Sequence, residues 1–342
     1  HKGGWIKVKG KKSLKKGDHN QQVGNLRQRL QQEPDQVVNL KTEDENHFDR
    51  DLFRAVCNFQ ARRGLTVSGI VDAETRAALN TSVKDIIKKI KLNIERWRWL
   101  PVDTGEKYIT VNIPSYRLEV IADNNVVMAM KIIVGTKKRP TPILYDTIHR
   151  LIFNPRWYMP RNIAVKDYLP SVRSDRSYLK KKGIKVYEKT ETGFERVDPK
   201  NINWKELNQN NFDYYFWKDS GPENPLGKVI FKSPNYQHIF LHDTPKKHLF
   251  KRRVRTFSSG CVRLENALKL AYYLLQDTPD WNQKKIKKVL KKSKEKSISL
   301  SQPIPFYISY WTTWVDRNHQ LHLRDDVYER DQDLLHNSLK LQ

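Results

Sequence analysis

Cys261 and His242 are the residues of this chain whose types and spacing best fit covalent chemistry. Cys261 closes the run Ser258-Ser259-Gly260-Cys261. His242 lies 19 residues earlier, at the end of the apolar, β-prone run Ile239-Phe240-Leu241. A thiol in a Ser/Gly turn and an imidazole at a strand end are the components of a Cys-His nucleophilic site. The reactive species is the thiolate, which is scarce at neutral pH unless a base or a cation assists. His242 is the expected base. Lys246, Lys247, Lys251, Arg252, Arg253, Arg255 and Arg263 are close in sequence and are expected to lower the thiol pKa. Small residues before Cys261 let amides approach a substrate carbonyl, so the amides around Gly260 and Cys261, with Ser259 beside them, are the expected backbone oxyanion region. Leu264 to Leu275 carries apolar residues at helical spacing. The nucleophile is therefore expected near a helix N-terminus, which also favours a thiolate.

Two other readings compete for the same residues. A free cysteine is often only a small buried hydrophobe. Zinc could draw on His238, His242, His248, Asp243 and Cys261, but the chain has neither Cys-x-x-Cys nor His-Glu-x-x-His, and no metal is expected. Cys57 and Cys261 are expected to stay unpaired, each in its own domain.

The elements that must position this pair follow from pattern. The 342 residues are enough for two domains. Residues 1–18 are Lys/Gly-rich and expected to be flexible. Residues 19–82 form a helical module, with Val23, Leu26 and Leu30 and then Phe53, Val56 and Phe59 at helical spacing. Two glycines, Gly64 and Gly69, mark a turn, and Asp72 is the expected N-cap of a helix over Ala73 to Leu79. Residues 83–104 read as a linker helix stopped by Pro101, with Trp97 and Trp99 as packing anchors. Strand patterns then run through Tyr108–Ile113, Arg117–Ile121, Val126–Gly135 and Leu151–Phe153, and return at Ile304–Thr312 with a hairpin over Val315 to Arg324. The fold class is α+β: a β-rich sandwich with helices over 105–342, interrupted at about 156–217 by an insert rich in charge and aromatics, plus the small helical domain. The tail after Asp325 is expected to be helical or loose.

The net charge is +26, from 64 basic and 38 acidic residues. A basic surface suits polyanions, but no helix-turn-helix, RNA-recognition motif or zinc finger is present, so nucleic acid is not the expected partner. The Lys-rich stretch 284–296 has Ile286, Val289 and Leu290 at helical spacing, the pattern of a solvated amphipathic face. No run of 18 apolar residues occurs, so no transmembrane helix is expected. The opening His1-Lys2-Gly3-Gly4-Trp5 is expected to be a mature or trimmed start.

The block His242…Ser258-Ser259-Gly260-Cys261-Val262-Arg263 resembles the signature of YkuD-type L,D-transpeptidases: a His, a gap, then Ser/Thr-x-Gly-Cys-x-Asn/Arg. Many members have His where this chain has Ser259. Asn224-Pro225-Leu226-Gly227-Lys228-Val229 followed by His242-Asp243-Thr244-Pro245 looks like the large periplasmic, YcbB-like branch, and Asn154 to Pro160 resembles the start of its capping subdomain. Asn25–Leu30, Ala55–Gln60, Gly64-Leu65 and Asp72–Thr75 resemble the peptidoglycan-binding type 1 domain. These resemblances imply a cell-envelope enzyme that joins diaminopimelate residues of two stem peptides through a thioester on Cys261, without cofactor. Arg263 is expected either to bind a substrate carboxylate or to hold the loop through a buried ion pair, and Asn224, Asp243 and Arg255 are the other expected substrate-binding residues. The resemblances also imply acylation by carbapenems, with anionic wall polymers and other wall-synthesis enzymes as further partners. A cysteine carboxypeptidase or hydrolase on the same stems, and a non-catalytic wall-binding protein, are the alternative functions.

Overall fold

The computed structural model describes residues 5–33, 37–99 and 105–339. The expected helix stop at Pro101 lies outside them. The first unit is a helical domain of α1 (Gln21–Gln31), α2 (Arg50–Arg63) and α3 (Ala73–Leu79). Each starts on a side-chain cap: Asn20, Asp49 and Asp72 accept from amides of the first turn. Their apolar stripes close a core of Leu26, Leu30, Val56, Phe59 and Leu79. The expectation of a flexible start fails for residues 5–18. Val8 is buried, its amide donates to Asn80 Oδ1 at 2.9 Å, and Leu14 pairs with Val71 in an antiparallel bridge. Burying two aliphatic side chains there outweighs the pull of the surrounding lysines into water.

Helix α4 (Val83–Trp97) leads into the second unit. Trp97 stacks on Trp311 at 4.8 Å, as an anchor should, but both Trp97 and Trp99 stay half-exposed. Strands β1 (Lys107–Asn112), β2 (Arg117–Ala122), β3 (Asn125–Gly135) and β4 (Leu144–Phe153) follow. The insert holds β5 (Trp157–Tyr158), α5 (Arg161–Ile163), a π-helical turn (Ala164–Tyr168), α6 (Leu169–Ser174), α7 (Tyr178–Lys181), β6 (Ile184–Thr190), β7 (Gly193–Val197) and β8 (Tyr214–Lys218). Its strands form their own sheet in the order β5-β8-β6-β7, over a core of Val172, Val186, Trp204, Phe212 and Phe216. The chain returns through β9 (Val229–Lys232), β10 (Leu241–His242), β11 (Thr256–Ser258), β12 (Val262–Leu264), α8 (Ala267–Leu275) and α9 (Gln283–Lys291). It ends with β13 (Lys296–Ser309), β14 (Thr313–Val315), β15 (Leu321–Leu323) and α10 (Arg330–Leu339).

The sandwich is one sheet folded onto itself. Its order is β11-β3-β12-β10-β9-β4-β13-β1-β2, and β2 pairs again with β3. Its inner face and α8 share one apolar core that includes Val111, Leu118, Ile132, Phe231, Leu241, Val262, Leu270 and Phe306. The expected helix after the nucleophile begins later than its pattern suggested. Strand β12 intervenes, because Val262 and Leu264 alternate into the core before α8 starts at Ala267.

The two units are joined tightly. Gly64 ends α2 in the left-handed region at φ +70°, and a Cβ there would lie 2.5 Å from Arg324 Cδ. Arg324 in turn donates to the Arg62 carbonyl at 2.6 Å. Beside this contact, Arg96 of α4 meets Asp331 of α10 at 2.5 Å, with side chains only 3% and 9% exposed. Thr312 and Asn93 complete the network. Removing one partner of such a pair strands the other charge in the interior. Asp331→Ala is expected to lower unfolding stability by about 3–5 kcal/mol. Coincident urea unfolding curves for variant and wild type would rule out this role.

Candidate active site

Strand register brings the two chemical residues together. β10 runs parallel to β12, with Leu241 opposite Val262 and His242 opposite Arg263. Leu241 and Val262 both point into the core. Alternation therefore sends His242 and Arg263 to the other face, and Cys261, two residues before Arg263, emerges on that face beside Phe240. Cys261 and Cys57 are both free thiols.

The turn before Cys261 is held from several sides. Gly260 adopts φ +117°, a conformation that side-chain-bearing residues rarely take. Its carbonyl accepts from Thr141 Oγ1 at 2.7 Å, and Thr141 Oγ1 accepts from the Gly135 amide at 2.8 Å. Ser258 Oγ donates to the Cys261 carbonyl at 2.5 Å and accepts from the Gly260 amide at 3.2 Å. The Gly260 amide is thus already engaged, which corrects its expected place as an oxyanion donor. Ser259 is exposed, and its Oγ accepts from Arg139 Nη1 at 3.0 Å. Arg139 also forms a two-pronged ion pair with Asp167 in the π-helical turn of the insert. The insert is thereby tied to the nucleophile turn.

His242 is buried. Its Nδ1 lies 2.5 Å from the Asp243 carbonyl oxygen, an acceptor, so Nδ1 carries the hydrogen and Nε2 the lone pair in the neutral ring. Burial first, and then Arg263, push its pKa down to about 4, against the pull of the Asp243 and Leu226 carbonyls. Burial pushes the Cys261 thiol up, while the Phe240 amide, Arg263 and Lys232 pull the other way. The resting pair is therefore thiol and neutral imidazole. This corrects the expectation of a thiolate favoured by the cations near in sequence: the cations that act on Cys261 are Arg263 and Lys232. Lys232 stands over the Phe240 ring at 3.8 Å.

The other expected substrate contacts serve the scaffold instead. Asn224 is fully buried, and its Nδ2 donates to the carbonyls of Pro155 and Asp219, each at 3.0 Å. Its type suggested ligand binding, but its position makes it the clasp at the base of the insert. Asp243 accepts from the Lys228 amide at 2.8 Å and from Lys247 Nζ at 2.6 Å. It pins the loop before β9, where a Cβ on Gly227 would strike its carboxylate at 2.4 Å. Arg255 donates to the carbonyls of Ile132 and Tyr116, each at 3.0 Å. Arg263 differs from all three, because its Nε is buried without a hydrogen-bond partner. The sequence reading missed Arg139, Thr141, Asp167 and Lys232. Only Thr141 and Arg139 carried any signal, as neighbours of Pro140 just after a predicted strand.

The L,D-transpeptidase catalytic domain model, YkuD, matches residues 106–286, more than half of the chain. This chain belongs to the L,D-transpeptidase family. A second model, described as "Putative peptidoglycan binding domain", matches residues 19–79. A Haemophilus influenzae protein named "Putative L,D-transpeptidase" is 32% identical over 250 residues, covering 73% of this chain and 49% of that protein. The chain thus spans about half the length of that relative. Among solved structures, an L,D-transpeptidase of Stackebrandtia nassauensis is similar at 11% identity and TM-score 0.30, covering 89% of this chain and 96% of that one. One from Mycobacterium smegmatis is similar at 13% identity and TM-score 0.28, covering 60% and 58%. No described helix of this family member is long and apolar enough to cross a membrane.

A thiol raised by burial and an imidazole lowered to about 4 make a sign prediction for this family member. Alkylation of Cys261 by iodoacetamide is expected to rise about tenfold per pH unit between about pH 6 and 8, following the thiolate fraction. Arg263→Ala is expected to slow it further by removing a cation. A rate independent of pH over that range would mean a preformed thiolate–imidazolium pair.

Proposed function

We propose that this protein is a peptidoglycan L,D-transpeptidase that joins two diaminopimelate residues directly through a thioester on Cys261. The observation that supports it most is the face shared by Cys261, His242 and the unpartnered Arg263, set by one strand register. Cys261 Sγ attacks the carbonyl at the L-centre of diaminopimelate in a donor tetrapeptide as His242 Nε2 takes the thiol proton. The bond to the terminal D-alanine breaks, and His242 returns that proton to the leaving amine. The side-chain amine of a diaminopimelate on an acceptor stem then attacks the thioester. Its proton passes by way of His242 to the departing sulfur, and the free thiol is restored.

A neutral imidazole suits this sequence, because a base must be unprotonated before attack. The unmatched charge of Arg263 suits a substrate carboxylate, with Lys232 as a second cation near the thiol. The Cys261 amide, next to the nucleophile, is the donor proposed for the oxyanion. The insert acts as a cap over the cleft, held by the Arg139–Asp167 pair. In this reading the protein works in the periplasm or cell envelope on peptidoglycan stems and is acylated by carbapenems. Anionic wall polymers and other wall-synthesis enzymes are further partners.

The test is intact-protein mass spectrometry with a disaccharide-tetrapeptide. Wild type is expected to show a covalent adduct and release cross-linked dimer, Cys261→Ala neither. His242→Ala is expected to lower turnover about 10²–10⁴-fold with folding intact. An adduct resolving only to tripeptide would make the protein a hydrolase, and no adduct would leave a wall-binding protein.

A further inference from the structure

A second cleft, of about 330 Å³, lies between β1–β2 and the hairpin β14–β15, and neither Cys261 nor His242 lines it. Its size falls in the range of small-ligand sites. One wall is a cross-strand ladder in which Thr110 faces Glu119 and Asn112 faces Arg117. The opposite side of those strands is core, with Ile109, Val111, Leu118 and Val120 fully buried. The other wall is the cross-strand pair Trp314 and His322, stacked at 5.0 Å and 5°. Trp311 lines the cleft too, one face of its ring held by Trp97 of the linker helix.

Two polar atoms in these walls are unsatisfied. Thr110 Oγ1 is buried without a hydrogen-bond partner. Asp316 accepts at both oxygens, from the amides of Asn318 and Gln320 and from His322 Nε2 at 2.8 Å. The ring hydrogen therefore sits on Nε2, and Nδ1 keeps a buried lone pair with no partner. Unmet buried groups of this kind cost free energy; both atoms are sealed from solvent, so a ligand hydroxyl recovers that cost only as the side chain turns toward it. The charged lining residues are Arg117 and Arg324 against Glu119 and Asp316, so they cancel. On a chain of net charge +26, a balanced cleft does not select a polyanion.

Trp314 already carries His322 and the Arg324 guanidinium, 4.9 Å from its ring, so the platform is Trp311, with Trp97 on one face. This indole beside a ladder of hydroxyl, amide and paired charged groups matches the two sides of a sugar ring: an apolar C–H face and a rim of hydroxyls. We infer that this cleft binds a neutral amino-sugar segment of the glycan strand, apart from the stem peptide handled at Cys261. The choice of glycan rests on the proposed peptidoglycan function, but saccharide binding can be measured without turnover. The cleft also lies where the helical domain, through Arg62 and Arg324, meets the catalytic unit. A strand seated there would hold the wall against the joint between the two units.

The test is calorimetric titration of the full chain, carrying Cys261→Ala, with β-linked N-acetylglucosamine oligomers. Saturable binding is expected, weakened about three- to tenfold by each of Thr110→Val and Glu119→Ala. In an otherwise wild-type chain, both substitutions should leave turnover of a soluble disaccharide-tetrapeptide unchanged. No binding, or binding that neither substitution weakens, would overturn the assignment, the latter placing the sugar elsewhere on the chain. Displacement of the saccharide by polyphosphate would overturn it in favour of an anion site. Loss of turnover in wild type with saccharide binding intact would sink the proposed function and leave this cleft standing.

Discussion

The parallel pairing of β10 with β12 is the constraint on which the site depends. Only two residue pairs are involved, Leu241 with Val262 and His242 with Arg263. Because side chains alternate, packing of the first pair in the apolar core turns the second to the opposite face of the sheet, where His242 is itself buried. A slip of one residue would turn His242 into the apolar core and Leu241 away from it, separating the imidazole from the face it shares with Arg263. The flanking sheet supports this register from both sides, with β9 antiparallel to β10 and β3 antiparallel to β12.

Around that register the polar groups divide into holders and actors. Thr141, Ser258, Asn224 and Arg255 direct their hydrogen bonds to backbone atoms, and Asp243 divides its own between the Lys228 amide and Lys247 Nζ, fixing loops that have no sheet of their own. Arg263 is left with a charge and nothing opposite it. A cation in that position lowers the energy of the thiolate but raises that of the imidazolium, so it eases loss of the proton from sulfur while weakening His242 as its acceptor. Burial opposes the thiolate at rest, which keeps the reactive form scarce until substrate arrives.

Local pattern carried much of this in the sequence. The helical spacing of α1 to α4 and the strands β1 to β3 follow from periods that any chain must show to bury one face, and the cap at Asp72 from its residue type. Cys261 and His242 stood out by type and motif. Long-range geometry was not legible. Nothing local distinguishes Asn224 as a clasp from Asn224 as a ligand contact, since the carbonyls it meets belong to Pro155 and Asp219. Nor could the cations near Cys261 in sequence be told from those near it in space: Lys232 is on a different strand, whereas Arg255 reaches back to Tyr116. The start of the chain misled for a related reason, since two aliphatic side chains among many lysines suffice to dock it.

The insert leaves the sheet after Phe153 and returns at Val229, and those two residues are register partners on adjacent strands. Its ends are therefore already side by side, whatever lies between them. Because it has its own sheet and its own core, it behaves as a cassette plugged into a fixed socket. Lineages could lengthen, trade or remodel this cassette without disturbing the register that seats His242 and Cys261. On the proposed function, selectivity would then evolve on a separate clock from the chemistry.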